Sequence, residues 1–430
     1  MSRLLVRGGR LLDPARGIDA ALDVLLADGV VAEVGERIAV PRGVEVLEAA
    51  GRLVAPGLID VHVHLREPGQ ESKETVASGA RAAVAGGFTA VACMANTDPP
   101  NDSRLVSEAI TRAAARAGLC RVYPIGAVSR GLAGEEMAPF GELVAAGCVA
   151  LSDDGRPVAS AELMRRALEV ARHYGVPLVQ HAQDLELSGD GVMHEGVASA
   201  CCGLPAIPGA AEDVMVARDL ILVEDTGGRY HLAHVSTARA LRLVREAKAR
   251  GLAVTCEATP HHLLLDDDAV LASGMGSNWK MQPPLRAASD AAALRAGLAD
   301  GTIDAIASDH APHTREEKAL EFQAAPFGIV GLETSLALCL DRLVRPGVIS
   351  LARLIDLMSA GPARVFGLPG GTLAVGAPAD LTVIDLEREL DVAAARFASK
   401  GRNTPFEGWK LRGAAVATVV AGRVVHRAAG

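Results

Sequence analysis

Between residues 56 and 365 the chain repeats one unit: a short β-like run, a turn, then an Ala/Leu/Arg/Glu-rich stretch with helical spacing. Eight strand candidates can be counted, at Leu58–Leu65, Phe88–Met94, Arg121–Val128, Cys148–Ser152, Pro177–His181, Arg229–Val235, Ala253–Ala258 and Asp304–Ser308. Stretches such as Ser160–Tyr174 and Ala238–Arg250 carry the helical pattern between them, and glycine often stands where a helix must stop before the next strand. An open doubly wound sheet shows the same alternation, so the count decides. Eight β/α units in series predict a (β/α)8 TIM-type barrel. The flanks differ from this centre. Residues 3–54 and 372–426 hold short apolar runs broken by turns, as in Leu4-Leu5-Val6 and Val419-Val420-Ala421-Gly422-Arg423-Val424-Val425, which read as antiparallel β structure. The expected organisation is one small β-sandwich domain built from both chain ends, 1–55 plus 366–430, around a catalytic barrel at 56–365.

Bulk properties exclude several classes. Half of the 430 residues are hydrophobic and 22% are charged, which suits a folded chain with a large core. A formal charge of -9 argues against nucleic acid as the main partner, because phosphate binding needs a cationic surface. No apolar run reaches the ~18 residues of a membrane span, and the N-terminus lacks the apolar core of a signal peptide. The seven cysteines form no CxxC pair. Reduced thiols in a cytoplasmic protein are therefore expected.

The polar residues gather where a barrel would use them, at the C-terminal ends of the strands. Strand one ends Asp60-Val61-His62-Val63-His64-Leu65-Arg66, and alternation puts His62 and His64 on one face. Strand four ends Ser152-Asp153-Asp154-Gly155, strand five ends in His181, strand six ends His231-Leu232-Ala233-His234, and strand eight ends Ser308-Asp309-His310-Ala311-Pro312-His313. Singly, each fragment is a cap, a turn or a packing histidine. Together they put imidazole or carboxylate at the same end of five strands, which is the donor chemistry of Zn²⁺ or a similar ion.

These phrases resemble the amidohydrolase superfamily and, within it, the type I dihydroorotases. The likeness runs through Gly57–Gly69, Met94-Ala95-Asn96-Thr97, Ser152-Asp153-Asp154-Gly155, His234–Ala238, Lys280-Met281-Gln282-Pro283-Pro284-Leu285-Arg286, Ser308–His313 and Pro326-Phe327-Gly328, in order across nearly the whole barrel. The resemblance implies that His62, His64, Asp154, His181, His234 and Asp309 ligate zinc, as one or two ions per chain, with two favoured. Alternation alone does not choose between Asp153 and Asp154; the resemblance selects Asp154. Many relatives bridge two metals with a carboxylated lysine from strand four, but no lysine lies between Lys73 and Lys248.

The activity implied is the reversible cyclisation of N-carbamoyl-L-aspartate to (S)-dihydroorotate with loss of water, the third step of pyrimidine synthesis. A metal-activated hydroxide attacks the ring carbonyl and Asp309 is the general acid/base. Arg66, two residues past His64, is expected to hold the substrate carboxylate. His64, Asn96, Gln282, His313, Phe327 and Gly328 resemble the remaining substrate contacts. Two positions depart from the family pattern: Gln282 stands where asparagine is usual, and Ala95 where proline precedes Asn-Thr. His261 and His262, after strand seven, read as packing or supporting residues. A homodimer and a complex with aspartate transcarbamoylase are the partners the resemblance suggests, without a membrane. The rivals are a hydantoinase, dihydropyrimidinase or allantoinase, disfavoured by the missing lysine and by Arg66, and a non-catalytic scaffold for the transcarbamoylase, disfavoured because all six ligand positions are filled.

Overall fold

Residues 3–40 and 43–428 are described in the computed structural model of the chain. The two chain ends share one sheet. Its six strands run, in spatial order, Arg423–Arg427, Lys410–Val420, Leu381–Asp391, Leu53–Pro56, Arg10–Asp13 and Ile18–Ala21. Val383 faces Ala417 on one side and Val54 on the other, so the middle of this sheet joins residues from opposite ends of the sequence. A second sheet, ordered Val30–Gly35, Asp23–Ala27, Arg3–Arg7, Glu45–Glu48, packs on it. Leu4, Val6 and Leu26 from one sheet and Leu11, Val54 and Leu381 from the other form a single apolar cluster, the interior of a β-sandwich.

Strand Leu53–Pro56 leads almost directly into the first barrel strand, Leu58–Val63. That strand pairs in parallel with Phe88–Cys93, which pairs with Arg121–Pro124. On the far side Leu178–Gln180, Tyr230–Leu232, Val254–Ala258 and Ala305–Ile306 form a second parallel run. Isolated parallel bridges Gly126–Leu151, Leu151–Leu178 and Val63–His310 continue the order between the two runs. Small apolar side chains, among them Ala90, Ala92, Ala150, Ala233, Ala305 and Ala307, fill the inside together with Ile59 and Val61. The larger cluster lies between strands and helices.

The fourth expected strand is reduced. Residues 148–152 form no strand, only the two bridges through Leu151. The neighbours explain this. Pro124 and Pro177 flank the segment and accept bonds from Val149 and Leu151, but neither can donate, so the ladder stops after one residue each way.

The helices form where capping and periodicity agree. Ser160 accepts from the amide of Leu163 and opens Ala161–Tyr174, whose buried residues Leu163, Met164, Ala167, Leu168 and Ala171 trace one face; Gly175, at φ 71°, ends it. Thr237 opens Ala238–Ala249 in the same way. Among the described residues no helix is long and apolar enough to cross a membrane, and all seven cysteines are free.

Candidate active site

The expected ligand residues converge. His62, His64 and Asp309 form one group of mutually close donor atoms, and His62, Asp154 and His234 form another, with every atom of a group within 4.8 Å of the rest. His64 Nε2 lies 3.0 Å from Asp309 Oδ1, and His234 Nε2 lies 3.3 Å from Asp154 Oδ2. His181 stands in neither tight group, but its Nδ1 is 3.0 Å from His234 Nε2 and 3.4 Å from Asp154 Oδ2. All six side chains are buried. His62 sits between the groups. Its Nε2 is 3.4 Å from both Asp154 and Asp309, has no hydrogen-bond partner, and is shielded from solvent. A buried ring nitrogen left without a partner is costly unless something binds it, and a cation placed among these nitrogens and carboxylates removes that cost.

The backbone is bent to make the site. His234 at φ 31°, Asp309 at φ 44° and Arg66 at φ 61° are non-glycine residues in the left-handed region. Such conformations persist where the surroundings enforce them, often at functional sites.

The site's electrostatics are those of carboxylates waiting for a cation. Burial works against a charged His62, yet Asp309, Asp154 and Glu257 around it raise its pKa well above the usual imidazole value. Burial likewise favours a neutral Asp154, but the surrounding His62, His181 and His234 hold it well below the usual carboxylate range. The field that attracts a proton to His62 Nε2 attracts a metal cation in its place.

Two supporting residues, Glu257 and Asp60, were not legible in advance. Glu257, the one charged residue on Val254–Ala258, accepts from His62 Nδ1 at 2.6 Å and faces His231 Nε2 at 3.1 Å. This bond fixes the ring so that Nε2 turns to the cluster. A lone carboxylate in a short buried strand was the signal available. Asn96 Oδ1 lies 2.9 Å from His64 Nδ1 and does the same for that ring. Asp153 turns away from the cluster and accepts the amides of Val128 and Ser129. Asp60 holds strand eight by accepting the amide of Ser308.

Arg66 is buried, and its Nε donates to Pro312 O at 3.3 Å. Among the described residues no carboxylate pairs with it. Burial lowers its pKa to about 10 against the pull of Asp309 and Asp154. His313 Nε2 donates to Phe327 O at 2.8 Å, and Gly328 N donates to Lys280 O at 2.9 Å. Gln282 Oε1 and His261 Nε2 are buried without partners, whereas His262 is fully used by Thr259 and Pro283. Burial drives the His261 pKa down to about 3, so its ring is neutral. The packing role expected for the pair suits His262; the open nitrogen of His261 distinguishes it from its neighbour.

A family model described as the amidohydrolase family matches residues 53–425. A dihydroorotase of Anaeromyxobacter dehalogenans is 61% identical over 423 residues, covering 98% of each chain. A dihydroorotase of Citrifermentans bemidjiense is 54% identical over 425 residues, covering 99% of this chain and all of the relative. Among solved structures, the L-hydantoinase (dihydropyrimidinase) of Arthrobacter aurescens superposes with TM-score 0.88 at 27% identity, over 99% of this chain and 96% of that one. The D-hydantoinase of a Thermus species gives 0.81 at 27% identity, over 99% and 95%.

Proposed function

The chain belongs to the amidohydrolase family, and within it we propose a dihydroorotase: a cyclic amidohydrolase that interconverts N-carbamoyl-L-aspartate and (S)-dihydroorotate with release or uptake of water. The observation that carries this reading is the convergence of His62, His64, Asp154, His181, His234 and Asp309 beside a buried guanidinium that lacks a carboxylate of its own. Relatives that bear the name match along almost the entire chain.

The donor set is four imidazoles and two carboxylates. That mixture suits zinc, and six donors are enough to hold two ions. Bound there, the metal polarises a carbonyl and makes water acidic enough to ionise near neutral pH. The chain's own residues supply the rest. Arg66 takes the substrate carboxylate in a two-pronged hydrogen bond, and burial makes that pairing strong. Asp309 is the proton carrier: burial disfavours its charge, but His62 and His64 outweigh that and keep it ionised. It accepts a proton from the attacking water and returns it to the departing ring nitrogen. His64, Asn96, Gln282, His313 and the backbone at Phe327 and Gly328 line the substrate side. Catalysis is assigned to 56–365 and support to the β domain of 1–55 plus 366–430.

The hydantoinase-like alternative draws on the structural superpositions but is weaker. Those likenesses stand at 27% identity against 61% for a dihydroorotase, and residues 148–155 hold no lysine. Side-by-side assay of dihydroorotate, hydantoin and allantoin with purified protein separates the two. Dihydroorotate is expected to turn over at least about a hundredfold better in kcat/KM, a gap a lost carboxylate–guanidinium pair of ~3 kcal/mol produces. Equal or better hydantoin turnover would replace the proposal with its rival.

A further inference from the structure

We propose that Asn403 and Lys318 form a clamp that sets the position of two substrate-facing loops, 311–313 and 326–328, so that a segment outside the barrel tunes substrate affinity. The identity of the ligand rests on the dihydroorotase reading; the clamp itself rests on geometry.

Asn403 lies in the chain between Leu381–Asp391 and Lys410–Val420, and its side chain is buried at the barrel mouth. Its Nδ2 donates to Ala311 O at 2.9 Å and to Gly328 O at 3.0 Å, while its Oδ1 accepts the amide of His313 at 3.1 Å. One amide group thus uses both donors and one acceptor to join the two loops. Its main-chain oxygen accepts from Val330 as well. Lys318 completes the arrangement. Its Nζ donates to Pro326 O at 2.9 Å and to Gly328 O at 3.1 Å, so the Gly328 carbonyl is held by both residues.

The strap that carries Asn403 is itself fixed. Ser399 donates to Glu74, whose carboxylate lies 3.3 Å from His310 Nε2, next in sequence to Asp309. Gly401 runs so close to Pro312 and Val330 that a Cβ on it would sit 2.7 Å from each. The clamp reaches the substrate through short links. Loop 311–313 carries His313 and presents the Pro312 carbonyl on which Arg66 Nε rests. Loop 326–328 carries Phe327, bonded to His313. Among the described residues, the hydrogen bonds of the Asn403 and Lys318 side chains go to none of the six clustered ligands. The clamp therefore acts on substrate position and leaves the metal centre alone.

Asn403→Asp is the informative variant. It keeps the acceptor for His313 but removes both donors and turns a carboxylate towards two carbonyl oxygens. We expect KM for dihydroorotate to rise about tenfold, with kcat and metal content within about twofold of wild type. Amide hydrogen exchange should accelerate in 311–313 and 326–330. Lys318→Met should raise KM in the same sense, and Lys318→Arg, which still donates to carbonyls, should restore most of it; this pair decides the matter if Asn403→Asp does not fold. An unchanged KM with unchanged exchange overturns the clamp. So does a fall in kcat and metal content accompanying the rise in KM, which would mean general loss of structure. If wild type fails to turn over dihydroorotate, the dihydroorotase reading falls, and the exchange measurement alone still upholds or overturns the clamp.

Discussion

His62 and Glu257, 195 residues apart in the chain, meet in a 2.6 Å hydrogen bond between Nδ1 and a carboxylate oxygen, with both side chains inaccessible to solvent. Glu257 thereby orients the only imidazole shared by both donor groups. Loss of such an orienting carboxylate typically costs 10–100-fold in metal affinity. Glu257→Gln is expected to weaken metal retention by about that factor, as read by competition with a graded chelator, while the protein stays folded.

Arg66→Lys tests carboxylate recognition. Lysine keeps the charge but loses the two-pronged geometry. KM for dihydroorotate should rise about 10–100-fold, equivalent to ~1.5–3 kcal/mol, with metal content unchanged. Steady-state kinetics beside metal analysis checks both halves.

Gly328 has φ 150°, and a Cβ on it would stand 2.6 Å from Ala311 O and 2.8 Å from the His313 ring. Gly328→Ala should push His313 aside. A stability loss of about 1–3 kcal/mol in urea denaturation and a raised KM are expected together.

Lys318 gives a pH signature. Burial, with a smaller contribution from Lys280, lowers its pKa to about 7 from an ordinary 10.5. Between those values the folded protein holds this amine neutral while the unfolded chain binds a proton. Its contribution to stability is therefore present above 10.5 and lost as pH falls through 7. The stability difference between wild type and Lys318→Met should shift in favour of wild type as pH is raised from 7 to 10, followed by urea midpoints at each pH.

Much of this was legible because strand periodicity is local. His62 and His64 share a face by alternation, and Asp154, His181, His234 and Asp309 each end a segment that announces itself as a strand. Three things were not. The shortening of strand four depends on Pro124 and Pro177 in neighbouring segments, which matter only once the order of strands is known. Glu257 and His62 lie 195 residues apart in the chain, and sequence shows a lone carboxylate but not its partner. Asn403 is one polar residue in an irregular stretch after the barrel, and nothing local marks it as reaching Ala311 and Gly328. Partner choice is set when the chain closes on itself, so residues that support others are the last to be visible.

Under the proposed function these six residues hold a metal on which ring opening depends. The direct measurement is dihydroorotate turnover by the purified chain before chelation, after exhaustive chelation, and after reloading with zinc. Stripping should abolish turnover and reloading should restore it. Undiminished turnover by protein shown to be free of metal would contradict the proposed function.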